Sequence, residues 1–131
     1  MHQSFRTIAR RILGVAVLFG MASQAGWAQA PAEVETMMKN MLAATRAHSV
    51  SDFVAAGDPA FKAGVTGSMF DSVSEQLVPR LNQGYTATFL GRLNQLGFSV
   101  YLWKLEFKDG KDDRLVTMAV KDGKVGGFFL R

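Results

Sequence analysis

The chain has 131 residues, with 15 lysines and arginines against 11 acidic residues and no cysteine. Its length predicts one domain. The lack of cysteine excludes disulfide bonds and a lipoprotein anchored through a thiol.

Residues 1–28 have the pattern of a secretory signal peptide. Three arginines and no acidic residue precede the unbroken apolar run of residues 12–22, and small residues follow it. This order is typical of an export signal. The run of about 11 residues is shorter than the roughly 20 that span a bilayer. We therefore expect cleavage between Ala28 and Gln29, a periplasmic or secreted protein, and no stable membrane anchor after cleavage.

Removal of the signal changes the charge of the protein. Three arginines and no acidic residue lie in residues 1–28, so the single domain of residues 29–131 has a net charge of +1. A nucleic-acid binder needs a clustered basic surface, whereas the basic residues here are interspersed with acidic ones. We expect no nucleic-acid partner.

The first half of the mature chain has helical patterning. Residues 32–47 repeat apolar side chains at the spacing of one helix face. A second, short helix is predicted to begin at Ser49, which has the residue type of an N-cap. Residues 60–64 are expected to add one further turn.

Residues 68–82 are predicted to form a further helix. Thr66 or Ser68 has the residue type of its N-cap. Pro79 lies inside the pattern, where it removes a backbone donor and clashes with the preceding turn. We therefore expect this helix to kink or end near Val78.

The second half of the mature chain has the sequence pattern of β-strands. Four strands are predicted, at residues 85–94, 98–108, 115–121 and 125–130. Asp122 and Gly123 between the last two strands are a strong signal for a two-residue hairpin. Helices followed by strands favour an α+β fold. The simplest architecture has N-terminal helices packed on a curved, four-stranded antiparallel sheet, which is cystatin-like or cone-like.

The second strand begins with apolar side chains on both faces. Phe98 and Val100 lie opposite Tyr101 and Trp103. We interpret this as a curved sheet that holds the helices on its concave side and meets something else on part of its convex side. A homodimer is predicted through a surface formed by Phe98, Val100, Phe128 and Phe129.

Residues 100–129 carry a family resemblance. A strand ending in Asp109-Gly110 meets the apolar segment 115–120, and the turn 122–125 (DGKV) precedes Gly127-Phe128. This stretch resembles the C-terminal strands of small exported members of the nuclear transport factor 2-like superfamily. The resemblance implies a cone-shaped α+β fold with a pocket. Members include domains of unknown function, dimeric binding modules, and pocket enzymes such as steroid isomerases and polyketide cyclases. No catalytic motif of those enzymes is found here.

The mature sequence is poor in metal ligands. It has one histidine, His48, and no cysteine, which argues against a zinc site. Asp109, Asp112 and Asp113 lack the ligand spacing of an EF-hand, so a solvated acidic turn is favoured over a weak Ca²⁺ site. We expect no metal and no cofactor.

Two sets of residues are candidates for a ligand site. His48 and Asp52 share a face if one helix continues between them, and His48 would then act as a base that Asp52 orients. Alternatively, His48 ends one helix and Asp52 begins the next. Tyr101, Trp103 and Met41 are the candidate lining of a ligand pocket; the alternative is that they fill the core.

The function predicted from the sequence is that of an exported binding or interaction module without enzymatic activity. Its partner would be a small apolar ligand or another protein. One alternative is a small pocket enzyme, isomerase- or cyclase-like, that uses His48 or Asp52 for proton transfer. The other is an accessory protein of the cell envelope.

Overall fold

Four helices precede four strands in the computed structural model, which describes residues 29–131. The elements are α1 (Ala32–Arg46), α2 (Val50–Val54), α3 (Pro59–Gly64), α4 (Gly67–Gln83), β1 (Tyr85–Gln95), β2 (Phe98–Phe107), β3 (Arg114–Lys121) and β4 (Lys124–Leu130). The strands form one antiparallel sheet in the order β1-β2-β3-β4. The α+β class and the four-stranded meander are thus confirmed. The predicted signal peptide lies outside the described residues.

The apolar face of α1 forms much of the helical side of the core. Met38 and Leu42 have no exposed surface, and Met41 has almost none. Glu33 and Glu35 lie in the first turn, where acidic side chains interact favourably with the helix dipole. The helix is therefore stabilised at its start by charge and along its length by burial.

Helix α4 continues through Pro79. The Thr66 hydroxyl accepts a hydrogen bond from the Met69 N–H at 3.2 Å, which confirms Thr66 as the cap. The prediction that the helix ends near Val78 is wrong, because it continues to Gln83. Pro79 lies on the exposed face, where water can satisfy the carbonyl that loses its partner. Burial of Leu77 and Leu81 stabilises the helix on both sides of it.

Residues with positive φ angles form the turns of two hairpins. Asp122 and Gly123 have φ angles of 51° and 74°, as a type I′ turn requires at both central positions. The predicted Asp122-Gly123 hairpin is thus confirmed. Between β1 and β2, Leu96-Gly97 form a second turn with the same signs of φ.

The core lies between the helices and one face of the sheet. Trp103 and Leu105 of β2 and Val116 and Met118 of β3 are fully buried there. Residues at alternate positions of a strand face the same side. The buried residues of β2 therefore follow the alternation that its sequence predicts. Phe98 and Val100 of β2 lie on the opposite face of the sheet.

Close backbone approach explains one glycine of β4. The register shifts between Ala119 and Val120, opposite Gly126. A Cβ at Gly126 would collide with the ring of Phe98 and lie 3.2 Å from Oδ2 of Asp58. The aromatic ring therefore occupies the space that any larger residue would need.

The segment between α2 and α3 is hydrogen-bonded to the edge of the sheet. The Val125 N–H donates to the Ala56 carbonyl at 2.9 Å, and the Asp58 N–H donates to the Val125 carbonyl at 2.8 Å. A short parallel bridge joins Gly57 to Val125. These contacts hold α2 and α3 against β4, where the cavity described below is found.

Candidate functional site

A cavity of about 330 Å³ lies between the helices and β4. Its walls come from α2, α3, α4 and the end of the sheet. The apolar lining is formed by Phe53, Phe61, Val65, Phe70, Leu77, Phe128 and Leu130. Ligand pockets in proteins have volumes of roughly 300–1,000 Å³ and are lined mainly by apolar and aromatic side chains. The cavity falls at the small end of that range.

Four phenylalanines surround the inner part of this cavity and are called the phenylalanine cluster. The ring of Phe53 lies 5.9 Å from Phe61, 5.2 Å from Phe70 and 5.5 Å from Phe128, the last in an edge-to-face arrangement. Such separations are those of favourable aromatic pairs. The cluster brings together side chains from four different elements.

Helix caps position two members of the phenylalanine cluster. The Ser49 hydroxyl accepts from the Asp52 N–H at 3.3 Å at the start of α2, one residue before Phe53. The Asp58 carboxylate accepts from the N–H of Phe61 itself at 2.7 Å. Each short helix begins at a defined residue, so each ring has a defined direction.

The rim of the cavity is apolar and exposed. Met69 and Val73 of α4 expose 59% and 48% of their surface, and Phe129 of β4 exposes 54%. All three line the opening. Large exposed apolar side chains that cluster at one place mark interaction sites.

Arg80 of α4 lies at the polar end of the cavity. Its Nε donates to Asp109 Oδ2 at 2.7 Å, and its Nη2 donates to Asp109 Oδ1 at 3.3 Å and to the Asp112 carbonyl at 2.6 Å. The guanidinium also lies 3.9 Å from the centre of the Phe107 ring, within the range of a cation–π contact. These contacts fix its plane.

Charge pairing shifts the pKa of both partners. The hydrogen bond from Arg80, together with one from the Lys111 N–H, holds the pKa of Asp109 below its usual range. The same pairing with Asp109 raises the pKa of Arg80. Both groups therefore stay ionised under ordinary conditions.

A second arginine, Arg114, also lines the cavity, and it follows by two residues the Asp112 carbonyl that binds Arg80. It is exposed and begins β3 opposite Leu105. Among residues 29–131, the ion pairs found join Lys39 to Glu35, Arg80 to Asp109 and Lys104 to Glu106. Arg114 takes part in none of them.

The structure does not bring His48 and Asp52 to the cavity. Helix α1 ends at Arg46 and α2 begins at Val50, and His48 between them has a φ of 52°. The spacing of four therefore places the two side chains on different elements, as in the alternative interpretation. Both are exposed, and neither lines the cavity.

Tyr101, Trp103 and Met41 lie in the core and not in the lining of this cavity. Trp103 has no exposed surface, and its indole N–H donates to Glu35 Oε2 at 2.9 Å. The inward row of β2 faces α1, and that packing accounts for their burial.

The residues of the predicted dimer surface lie in different environments. Phe128 pairs with Met118 on the inner face, whereas Phe129 pairs with Thr117 on the other. Phe128 belongs to the phenylalanine cluster, and Phe129 is half exposed. Phe98 covers Gly126, and Val100 is 6% exposed.

Sequence reasoning did not assign Arg80, Arg114 or the phenylalanine cluster to a site. Phe53, Phe61 and Phe70 lie on the apolar faces of the predicted helical segments. No local pattern indicated that these faces meet Phe128 around a space. The sequence feature that points to an aromatic cluster is the high phenylalanine content, 10 residues in the chain.

In the acidic turn of Asp109, Asp112 and Asp113, the Asp109 carboxylate and the Asp112 carbonyl accept hydrogen bonds from Arg80. No group of three or more possible metal-ligating side chains is found within residues 29–131. In the same part of the chain, no helix has the length and apolarity to cross a membrane. Comparisons with protein-family models, curated proteins and solved structures find no significant match to this chain.

Proposed function

We propose that this protein is an exported, non-enzymatic binding module for a small, mainly apolar ligand. The observation that carries the proposal is the aromatic-lined cavity of about 330 Å³ that opens between α4 and β4. Each methylene group that a ligand buries there contributes about 0.8 kcal/mol. The cavity therefore supplies the driving force for binding without further chemistry.

The polar side chains of the lining support binding over catalysis. Among the described residues that line the cavity, the polar ones are Thr45, Gln76, Arg80 and Arg114. The Thr45 hydroxyl already donates to the Met41 carbonyl at 2.9 Å. General acid–base catalysis needs a group that titrates near the working pH, and arginine does not. The alternative of a pocket enzyme has less support, since His48 and Asp52 lie outside the lining.

The proposal is tested by titrating the purified protein with N-phenylnaphthylamine, a neutral probe that fluoresces in apolar surroundings. We expect a saturable signal with one site per chain. Val65→Trp adds bulk to the cavity wall and is expected to weaken binding at least about tenfold, equivalent to roughly 1.4 kcal/mol.

The matched control is Val50→Trp, which adds the same ring at an exposed position of α2 that does not line the cavity. It should bind the probe as the wild type does. Far-ultraviolet circular dichroism checks that both variants are folded. Equal binding by Val65→Trp, or no saturable binding by the wild type, would contradict the proposal.

We propose the cone-shaped fold of the nuclear transport factor 2-like superfamily as the finer architecture. The order of helices before a four-stranded antiparallel sheet supports it. So does the coverage of one sheet face by α1 and α4. Two register shifts, at Leu90 in β1 and Gly126 in β4, are of the kind that bend and twist a sheet.

We also propose that two copies pair through the sheet face that carries Phe98, Val100 and Phe129. Leu93 extends this face, because it pairs with Val100 and is 47% exposed.

A further inference from the structure

We propose that the ligand is an amphipathic carboxylate whose apolar chain lies in the phenylalanine cluster and whose head group binds Arg80 and Arg114. This inference rests on the proposed binding function and adds the chemical class of the ligand. The distribution of charge around the cavity supports it.

Arg80 offers a preorganised part of the head-group site. Its Nε and Nη2 are held by Asp109 and the Asp112 carbonyl, and Phe107 covers the guanidinium plane. Nη1 takes no part in these contacts. Because arginine carries its donors in a rigid fork, fixing Nε and Nη2 also fixes the direction of the two Nη1 hydrogens. Arg80 lines the cavity, where these hydrogens are suited to a carboxylate oxygen.

Arg114 adds a second positive charge to that of Arg80, which is paired with Asp109. The ion pair of Arg80 with Asp109 is neutral as a unit, whereas Arg114 takes part in none of the ion pairs found among residues 29–131. Among the described lining residues, the charged ones are these two arginines, and no carboxylate is present. The lining itself is therefore positively charged, whereas Asp109, Asp112 and Asp113 of the neighbouring loop lie near Arg80 but do not line the cavity. A monoanion seated at the two arginines complements this lining.

The size of the cavity favours a chain of medium length. Its volume of about 330 Å³ lies near the lower limit of roughly 300 Å³ for ligand pockets. Apolar side chains form most of the lining, and those of Met69, Val73 and Phe129 are exposed. A decanoate-like molecule would lie with its carboxylate at the arginines and its chain among the phenylalanine rings.

The test compares decanoate, decanol and decyltrimethylammonium as competitors of N-phenylnaphthylamine at neutral pH. The three share the same chain and differ in head-group charge. We expect decanoate to compete about tenfold more strongly than decanol, the factor expected from hydrogen bonds to a charged group. The cationic compound should compete most weakly.

Two arginine variants test whether the preference for decanoate over decanol arises in the cavity. Arg114→Gln removes a charge at an exposed position, so it is expected to fold normally and to lose most of the preference for decanoate over decanol. Arg92→Gln is the matched control, because Arg92 is an exposed arginine on β1 that does not line the cavity. It should keep the full preference.

Each other outcome has a defined meaning. Equal competition by decanoate and decanol, or the same preference in Arg114→Gln as in the wild type, would overturn this inference while the binding function stands. Stronger competition by the cationic compound, or by dianionic decyl phosphate over decanoate, would also overturn it. If the neutral probe itself does not bind, both this inference and the proposed function fail.

Discussion

Trp103 shows how one polar atom is accommodated in this core. The side chain has no exposed surface, yet its indole N–H needs an acceptor. Glu35, on the first turn of α1, supplies one at 2.9 Å. The carboxylate is partly exposed and also lies 3.7 Å from Lys39. Glu35 can therefore remain solvated while it accepts the buried donor.

At this scale, we predict that Glu35→Ala lowers the free energy of unfolding by about 1–3 kcal/mol, because it leaves a buried donor without a partner. Glu35→Gln keeps a side-chain acceptor and should retain most of the stability. Glu33→Ala, at an exposed position of the same turn, is the control for the loss of an acidic residue. The measurement is urea denaturation. Equal destabilisation by the Ala and Gln variants at Glu35 would contradict the role of this hydrogen bond.

At the scale of elements, the Arg80–Asp109 pair joins α4 to the loop that follows β2. The two residues are 29 positions apart, and their side chains are 15% and 5% exposed. Asp109 accepts a further hydrogen bond from the Lys111 N–H at 2.8 Å. This pair therefore connects the helical layer to the sheet beside the cavity.

The pair predicts a pH dependence of stability. Pairing lowers the pKa of Asp109 in the folded protein, so its contribution is complete above the unfolded pKa of about 3.9. The contribution is lost as the pH falls through the lower, folded value. We expect the wild type to be more stable than Asp109→Asn at neutral pH, and the difference to shrink as the pH falls below about 4.

Thermal unfolding followed across this pH range measures the difference. Asp113→Asn is the control, because Asp113 is exposed in the same loop and takes part in none of the ion pairs found among residues 29–131. Its difference from the wild type should be small at every pH. A difference between the wild type and Asp109→Asn that is constant down to strong acid would be evidence against the pair.

At the scale of the whole molecule, the two faces of the sheet differ in their surroundings. The inner face packs on α1 and α4, and its β4 end borders the cavity. The other face presents Leu93 and Phe129, each about half exposed. Apolar surface of this kind favours association between copies.

We predict that sedimentation velocity detects a dimer at high micromolar concentration. Leu93→Asp places a charge on the proposed surface and is expected to weaken association at least about tenfold, as loss of an apolar anchor of an interface does. Asn40→Asp adds a negative charge on the exposed face of α1 and should leave association unchanged. A wild type that is monomeric at that concentration would contradict the pairing.

Much of the fold could be predicted from the sequence because its signals are local. The apolar spacing of α1, the alternation of β2 and the Asp122-Gly123 turn each depend on neighbouring residues, and all three are observed. The predicted end of the helix near Val78 was wrong, because the local preference of Pro79 is outweighed by burial of Leu77 and Leu81 in the core.

The sequence by itself determined the order of helices and strands, the hairpin connections and the alternation of the strands. Only the tertiary structure decided that Phe53, Phe61, Phe70 and Phe128 meet around a cavity with Arg80 and Arg114 at one end. The physical reason is that backbone propensity and turn geometry act over a few residues. A cavity, by contrast, forms where elements distant in the chain leave space between them, and its position depends on how every element packs.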